Sequence, residues 1–290
     1  MPVDVSVIVV NWNRCDLLLG CLRSIYERTH RVSYEIIVVD NASTDDSVAR
    51  VREGFAGVQL IVNAENRGFA AANNQGLRVS QGRYALLLNN DTVVLDGCLD
   101  KMVAFMDVHP NVGALTCKQY DARDLEHPMP PCATAFPTPT RLMLTRLVRL
   151  LRQENTPWGR RWLYLGENPD IAQEAAHITG SCFMIRRAAL EQVGLLDERF
   201  FMYLEETDWC WRLRQAGWKI YYTPDAAFIH YLSASGQLRP DREELYYRSY
   251  CHFFEKHYGK PARWLYQAQK AIFNVVKRVK RDAWNVKRET

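Results

Sequence analysis

The 290-residue chain has no apolar run near the ~18 residues that would span a bilayer. Its opening stretch, MPVDVSVIVVNWN, has neither the basic flank nor the long apolar core of a secretory signal. A chain of this kind is expected to be made and kept in the cytoplasm. The eight cysteines (15, 21, 98, 117, 132, 182, 210, 251) form no CxxC pair and no Cys/His zinc spacing, which predicts buried thiols instead of a disulfide framework or a structural zinc. Two nucleotide signatures are also missing. No GxGxxG follows the first strand-like run, and no GxxxxGK followed by Ser or Thr occurs, which speaks against a dinucleotide-dependent dehydrogenase and a P-loop nucleotidase. Internal repeats and low-complexity segments are absent as well.

What is present suffices for one large or two ordinary domains: 48% of residues are hydrophobic and 24% charged, which excludes disorder as the main state. The charge is uneven. Residues 260–290 carry nine Lys or Arg against two acidic residues, a net of +7 in a chain whose total is +4, so residues 1–259 stand at −3. A mildly acidic body with a basic end predicts an anionic surface, membrane or nucleic acid, as partner of that end.

Nearly continuous apolar runs at Val5–Asn11, Tyr34–Asp40, Val58–Val62 and Tyr84–Asn89 predict strands buried on both faces. Helix signals fall between them at Leu17–Glu27, from Ser43-Thr44-Asp45-Asp46 to Glu53, at Ala70–Val79, and at Leu99–Val108 before Pro110. The alternating order predicts an α/β fold with a mostly parallel sheet covered by helices. Pro128, Pro130, Pro131, Pro137 and Pro139 predict an irregular connection over 121–140, followed by a short helix bearing Arg141, Arg146, Arg149 and Arg152. Regular α/β signals return at Ile178–Arg186, and a helix is expected at Thr207–Ala216, ended by Gly217, with strands near Ile220–Thr223 and Ala227–Tyr231. From Arg242 the pattern is helical, with a break at Gly259-Lys260-Pro261.

Parallel strands deliver functional groups at their C-terminal ends. Here those ends carry Asn11 and Asn13, Asp40 and Asn41, Asn63 and Asn66, and Asn89-Asn90-Asp91. One such ending is ordinary turn chemistry, but four along one sheet edge describe a polar crevice.

The segments VSVIVVNWN (5–13), IIVVDNASTDDS (36–47), NRGFAAANNQG (66–76), LLLNNDT (86–92), ITGSCFMIRR (178–187), GLLDERFFMYLEETDWCWRLRQAGW (194–218) and AFIHYLSAS (227–235), in this order, resemble the family 2 glycosyltransferases of the GT-A fold. Within that family they are similar to the rhamnosyltransferase-like enzymes of bacterial polysaccharide assembly. The resemblance implies a GT-A catalytic domain over 1–240, with a donor-binding half at about 1–120 and an acceptor and catalytic half at about 175–240. A helical extension over 241–290 follows it.

It also implies a nucleotide-sugar donor bound by Asn11, Asp40, Asn66, Arg67, Gly68, Asn90 and Asp91. Asp40 matches the acid that contacts the nucleotide's base or ribose, while its structural alternative is a helix cap. Gly68 is expected to permit close approach of the donor, and Arg67 to reach a phosphate. Asn89-Asn90-Asp91 stands where the family has DxD, so Asp91 is implied as a ligand of Mg²⁺ or Mn²⁺, with His230 completing the site. Because Asn89 replaces the first acid, metal affinity without nucleotide is expected to be low. The general base is implied at Glu206, with Asp208 and Glu205 as further candidates. Trp209 and Trp211 are expected to offer a platform to sugar rings and Arg212 to help bind the acceptor. Inversion at the anomeric carbon and a saccharide acceptor, lipid-linked as relatives use, complete the expectation.

Two other classes remain open at this level: a sugar nucleotidyltransferase, whose basic glycine-rich N-terminal loop is missing here, and a non-catalytic scaffold, suggested by Asn89 and Glu206 where Asp is usual. On a helical wheel Leu265, Ala268, Ile272, Val276, Val279 and Ala283 share one face, and Lys270, Lys277, Arg278, Arg281 and Arg288 the other. That pattern suits a helix lying on an anionic leaflet, at about 1 kcal/mol per basic residue, and equally a helix packed on the domain. The first alternative would put the protein peripherally on the inner face of the cell membrane. The arginine-bearing segment 141–152 is a second candidate contact, or a clamp for an acceptor diphosphate.

Overall fold

The structure is a computed structural model that describes residues 2–129, 135–151, 153, 156, 168–231 and 241–289, with side chains as far as Val275. Pro130, Pro131, Cys132, Arg152, the end of the AFIHYLSAS segment and the side chains of Val276, Lys277, Arg278, Val279, Arg281, Ala283 and Arg288 lie outside the described residues.

Four parallel strands form one half of the sheet: β1 (Val5–Asn11), β2 (Tyr34–Asp40), β3 (Val58–Val62) and β4 (Tyr84–Asn89), in the order β3-β2-β1-β4. Their alternate residues face two helical layers. Val5, Val7, Val9, Ile36, Val38, Leu86 and Leu88 pack with α1 (Cys15–Arg28) and α4 (Cys98–Val108), while Ile8, Ile37, Val39, Ala85 and Leu87 pack with α3 (Phe69–Val79) on the other side. This two-sided burial is why the runs read as continuous rather than alternating. Gly76 lets α3 lie directly on β1, since a Cβ there would meet Ile8 Cγ2 at 2.5 Å.

The second half of the sheet holds features that were not anticipated. β9 (Cys182–Arg186) inserts antiparallel between β4 and β6 (Val112–Asp121), and β6 runs parallel to β10 (Lys219–His230). The two strands expected at 220–223 and 227–231 are one, because a register shift between Thr223 and Ala227 carries β10 past Pro224. Part of the expected irregular connection is a hairpin, with β7 (Asp124–Pro128) folding back on β6. The short β5 (Thr92–Val94) and β8 (Gln173–Glu174) both pair with β10.

The remaining helices are α2 (Ser47–Gly54), α5 (Pro139–Leu150), α6 (Arg187–Val193), α7 (Glu205–Gln215), α8 (Arg242–Tyr258) and α9 (Lys260–Glu289). α2 starts at Ser47 and not at Ser43, because the backbone N–H groups of Ser43 and Thr44 donate to the Asp40 and Asn13 side chains instead of opening a helix. The break between α8 and α9 falls at Gly259, with φ of 82°. Phe253 and Phe254 of α8 and Tyr266 of α9 form a third apolar cluster with Phe200 and Leu204. Six of the seven described cysteines are buried, as the spacing predicts.

Candidate functional site

Because β1, β2 and β4 are parallel and in register, Asn11, Asp40 and Asn89 arrive at one edge of the sheet. Asn11 Nδ2 donates to Asp40 Oδ2 and to Ser43 Oγ, both at 3.1 Å, and Asn90 Nδ2 donates to Asn11 Oδ1 at 2.7 Å. The other Asp40 oxygen accepts the Ser43 N–H at 2.9 Å. Asp40 and Asn11 are buried, at the edge of the cavity and not among the residues that line it. Both Asp40 oxygens are engaged within the chain, holding the loop that forms the wall.

That wall consists of Trp12, Asn13, Arg14, Asn41, Asn66, Asn89, Asn90 and Asp91, and it borders a cavity of about 500 Å³. Asn13 and Arg14 have φ of 59° and 68°, an αL turn that aims them at the cavity. Asn41 binds the next loop, donating to Asn66 Oδ1 at 2.9 Å and accepting the Arg67 N–H at 3.0 Å. Arg67 itself is exposed and does not line the cavity. Gly68, with φ of 82°, sits under the Phe201 carbonyl, which a Cβ would strike, so its freedom serves chain packing and not donor approach.

The Asp91–His230 corner is local. Thr92 pairs with His230 across the β5–β10 ladder, which brings His230 Nε2 to 3.0 Å from Asp91 Oδ1. Two adjacent ligands on a Mg²⁺ with bonds of about 2.1 Å would stand roughly 3 Å apart, so the pair fits one edge of an octahedron. Both side chains are hard or borderline donors, and both are buried against the cavity, at 2% and 7% exposure. Among the described residues no group of three or more His, Cys, Asp or Glu could hold a metal unaided. A diphosphate would have to supply the remaining ligands.

Tyr203 and Leu204, with φ of 71° and 70°, turn the chain sharply into α7. Glu205 and Glu206 follow and line the cavity. Glu205 is 4% exposed, and its Oε2 has no hydrogen-bond partner. Burial first, and the charge of Glu206 second, push its carboxyl well above the ordinary value of 4.5. Burial also raises Glu206, opposed first by its backbone hydrogen bond and then by the neighbouring Glu205 side chain. Both carboxyls are thus pushed toward the protonated form, Glu205 the more strongly of the two.

The other expected residues are placed elsewhere. Asp208 is fully buried and bound to Lys256 Nζ (2.6 Å), His257 Nε2 (2.8 Å) and Arg212 Nε (2.9 Å). Burial opposes its charge, but the bonds from His257 and Lys256 outweigh that and hold it below the ordinary carboxylate range. It is an anchor between α7 and α8, not a candidate base. Trp209 is 0% exposed, stacked on Phe183 at 5.3 Å, and its Nε1 donates to the Gly194 carbonyl; Trp211 packs edge-on to Phe136 at 4.8 Å. Neither is a sugar platform, because both serve the core. Arg212 spends its donors on Asp208 and the carbonyls of Val193 and Leu195, so it does not reach the cavity.

Residues with no sequence signal take their place beside Glu206. Tyr203 and Tyr246 stack with ring centroids 3.8 Å apart and 5° between planes, and the Arg242 guanidinium lies 5.7 Å over the Tyr246 ring. All three line the cavity with Gln119, Thr179 and Ser181. The pairing of Tyr203 with two α8 residues spans some forty positions, beyond any local pattern.

A family model described as Glycosyl transferase family 2 matches residues 6–194, and the chain belongs to that family. It is 26% identical over 254 residues to the N-acetylglucosaminyl-diphospho-decaprenol L-rhamnosyltransferase of Mycobacterium tuberculosis, covering 82% of this chain and 81% of the relative. It is 28% identical over 269 residues to the O-antigen biosynthesis protein RfbC of Myxococcus xanthus, covering 85% of this chain and 19% of that much longer relative. The mannosyltransferase PcManGT of Pyrobaculum calidifontis, solved in complex with GDP-Man and Mn²⁺, superposes with a TM-score of 0.60 at 18% identity, covering 96% of this chain and 77% of that one. The fold is thus of the GT-A type.

Two outcomes test the roles of the acids. Removing the Asp208 charge leaves Lys256 and His257 facing a neutral amide, so Asp208→Asn is expected to lower stability by an amount near the low end of the roughly 3–5 kcal/mol seen for broken buried pairs, read from urea unfolding. Glu205→Gln should do the opposite. A carboxyl whose folded-state value is raised takes up a proton on folding, so it costs stability as pH climbs above 4.5. The variant should melt above the wild type at pH 8, with the gap closing toward pH 4.5; an equal gap at both would refute the assignment of the buried proton.

Proposed function

We propose that this family 2 glycosyltransferase moves a sugar from a nucleoside-diphosphate donor to a hydroxyl of a saccharide acceptor, with inversion at the anomeric carbon. The observation that supports this best is that one cavity is lined by both the Asp91–His230 pair and the Glu205–Glu206 pair. Asn13, Arg14, Asn41 and Asn66 would hold the nucleoside and its phosphates by hydrogen bonds. Asp91 and His230 would hold Mg²⁺ or Mn²⁺, which offsets negative charge on the leaving diphosphate.

Glu206 accepts the proton of the acceptor hydroxyl, and that oxygen displaces the diphosphate from the opposite face of the sugar. Tyr203, Tyr246 and Arg242 border the acceptor side and offer ring faces and a guanidinium next to Glu206. The M. tuberculosis relative, whose name states a lipid diphosphate acceptor and a rhamnosyl transfer, supports a lipid-linked acceptor and dTDP-rhamnose as donor, with UDP-sugars as the other candidates. Cell-surface polysaccharide synthesis is the setting that follows.

No helix among the described residues is long and apolar enough to cross a membrane. α9 nevertheless exposes Trp264, Ile272 and Val275 at 62%, 65% and 63%, and the neighbouring α5 exposes Met143 and Leu147. With the +7 charge of this end, that face supports attachment to an anionic leaflet. The anchoring side of α9 is already in use: Tyr266 is buried, and the Arg146 guanidinium lies 5.4 Å over its ring. Removing the whole helix would therefore damage the core as well as the exposed face.

For the reaction, Glu206→Gln should bind the metal and nucleoside diphosphate as the wild type does while transfer falls about 10²–10⁴-fold; full transfer would remove Glu206 as base. For the surface, Ile272→Glu with Val275→Glu should weaken binding to phosphatidylglycerol vesicles at least about tenfold at unchanged melting temperature, given ~1.5–3 kcal/mol for each such side chain buried. Undiminished sedimentation with vesicles would refute the attachment.

A further inference from the structure

Two arginines line the cavity, Arg14 and Arg242. Arg14 stands beside Asn13 in the loop after β1, among the groups assigned above to the donor. Arg242 stands with the carboxyl pair. Its guanidinium lies 5.7 Å over the Tyr246 ring, and Tyr246 stacks on Tyr203, which comes just before Glu205 in the chain. The other arginines of α7 and α8 have acids: Arg212 binds Asp208 at 2.9 Å, Arg214 meets Glu174 at 3.5 Å and Arg248 meets Glu244 at 2.9 Å. Among the described residues Arg242 has no carboxylate partner; its neighbours are the Tyr246 and Tyr203 side chains, of which Tyr246 does most to hold it above its ordinary value of 12.5. A planar guanidinium with five donors, exposed and lining a cavity, presents half of an ion pair.

Burial falls along this row: Glu205 is buried, Glu206 and Tyr246 are half-buried and Arg242 is exposed. The Glu206 charge is felt at the Tyr246 hydroxyl, and Tyr246 follows Arg242 by one turn of α8. An acceptor that brings a hydroxyl to Glu206 therefore reaches out past Tyr246 to Arg242. We propose that Arg242 is a specificity-determining residue of the acceptor site: its guanidinium pairs with an oxyanion that the acceptor carries close to the sugar bearing the reacting hydroxyl. The inference rests on the reading of Glu206 as the base for that hydroxyl. Arg242 and Tyr246 lie beyond residues 6–194, so the subsite stands outside the part of the chain that matches the family.

The fork of a guanidinium fits a phosphate or a carboxylate with two parallel hydrogen bonds. Two kinds of acceptor supply such a group: a sugar joined through a diphosphate to a lipid, and a sugar acid. The first is favoured by what lies beside Arg242. Lys270 Nζ of α9 is 3.5 Å from the Glu243 carbonyl oxygen and 4.5 Å over the Tyr247 ring, which brings the stretch of α9 carrying the exposed Ile272 and Val275 alongside the start of α8. An acceptor with its oxyanion on Arg242 has an apolar surface next to it for a lipid tail.

The test is calorimetric binding of soluble probes to the full chain: hexyl N-acetylglucosaminide, which is neutral, hexyl N-acetylglucosaminyl diphosphate, and hexyl glucuronide. No sugar donor is added, and EDTA keeps the diphosphate from binding through a cation. The wild type should bind the diphosphate probe about 10–100-fold more tightly than the neutral one, the range for a hydrogen-bonded charge. Arg242→Gln should bind the two alike, with the wild-type affinity for the neutral probe and an unchanged melting temperature. Arg242→Lys should keep part of the preference, because it keeps the charge without the fork. A preference for the glucuronide that Arg242→Gln abolishes would support the same role with a sugar acid as the acceptor. Equal binding of all the probes by the wild type, binding of none, or a preference that survives in Arg242→Gln would overturn the role. Transfer is scored separately: full transfer by Glu206→Gln removes the base, while the probes still decide Arg242.

Discussion

The buried hydrogen bond between Asn11 and Asp40 is the contact on which the crevice depends. Parallel register puts these residues side by side at the ends of β1 and β2, where both are excluded from water. Buried amides and carboxylates must find partners, at a cost of about 1–3 kcal/mol for each left unmet. Asn11 meets that demand by binding Asp40, Ser43 and Asn90 at once, which ties three consecutive strand-end loops together. The polar wall is therefore tied together by the chain's own hydrogen bonds.

The opposite wall is built under strain. Two consecutive residues in the left-handed region, Tyr203 and Leu204, bring two carboxyls into one buried place, where both are pushed toward the protonated form. Such an arrangement opposes folding and persists only because the surroundings over-determine it. The surroundings are α8: Lys256 bridges Asp197 and Asp208, at 2.9 and 2.6 Å, and Ser249 donates to the Met202 carbonyl. The carboxyl pair is held from behind by a helix that carries no acid of the site itself. The turn and the Asp208 anchor together fix where the pair stands.

Much of this was legible in the sequence, and the limits are physical. β1 to β4 were readable because burial on both faces produces unbroken apolar runs, and the family motifs lie along them in order. β6 was passed over because its run from Val112 ends in Lys118, Gln119 and Tyr120, which look like a loop. Trp209 and Asp40 had the right residue types for contact with ligands, but direction is set by tertiary packing: one faces the core beside Phe183, and the other faces Asn11 and Ser43. Arg242 and Tyr246 were invisible, since the helix that carries them follows the matched segments and its place against Tyr203 is a long-range fact. The pairing of Asp91 with His230 was readable only from the motif, and the β5–β10 register supplies its geometry.

The central claim is that the crevice at the strand ends takes a divalent ion and a nucleoside diphosphate together. The most direct measurement is the melting temperature of the purified protein with Mn²⁺ or Mg²⁺, alone and combined with UDP, dTDP, GDP or CDP, since a ligand bound only by the folded state raises it. The account predicts a clear rise with one metal–nucleotide pair and little or none with the metal alone. An unchanged melting temperature with every pair would contradict it.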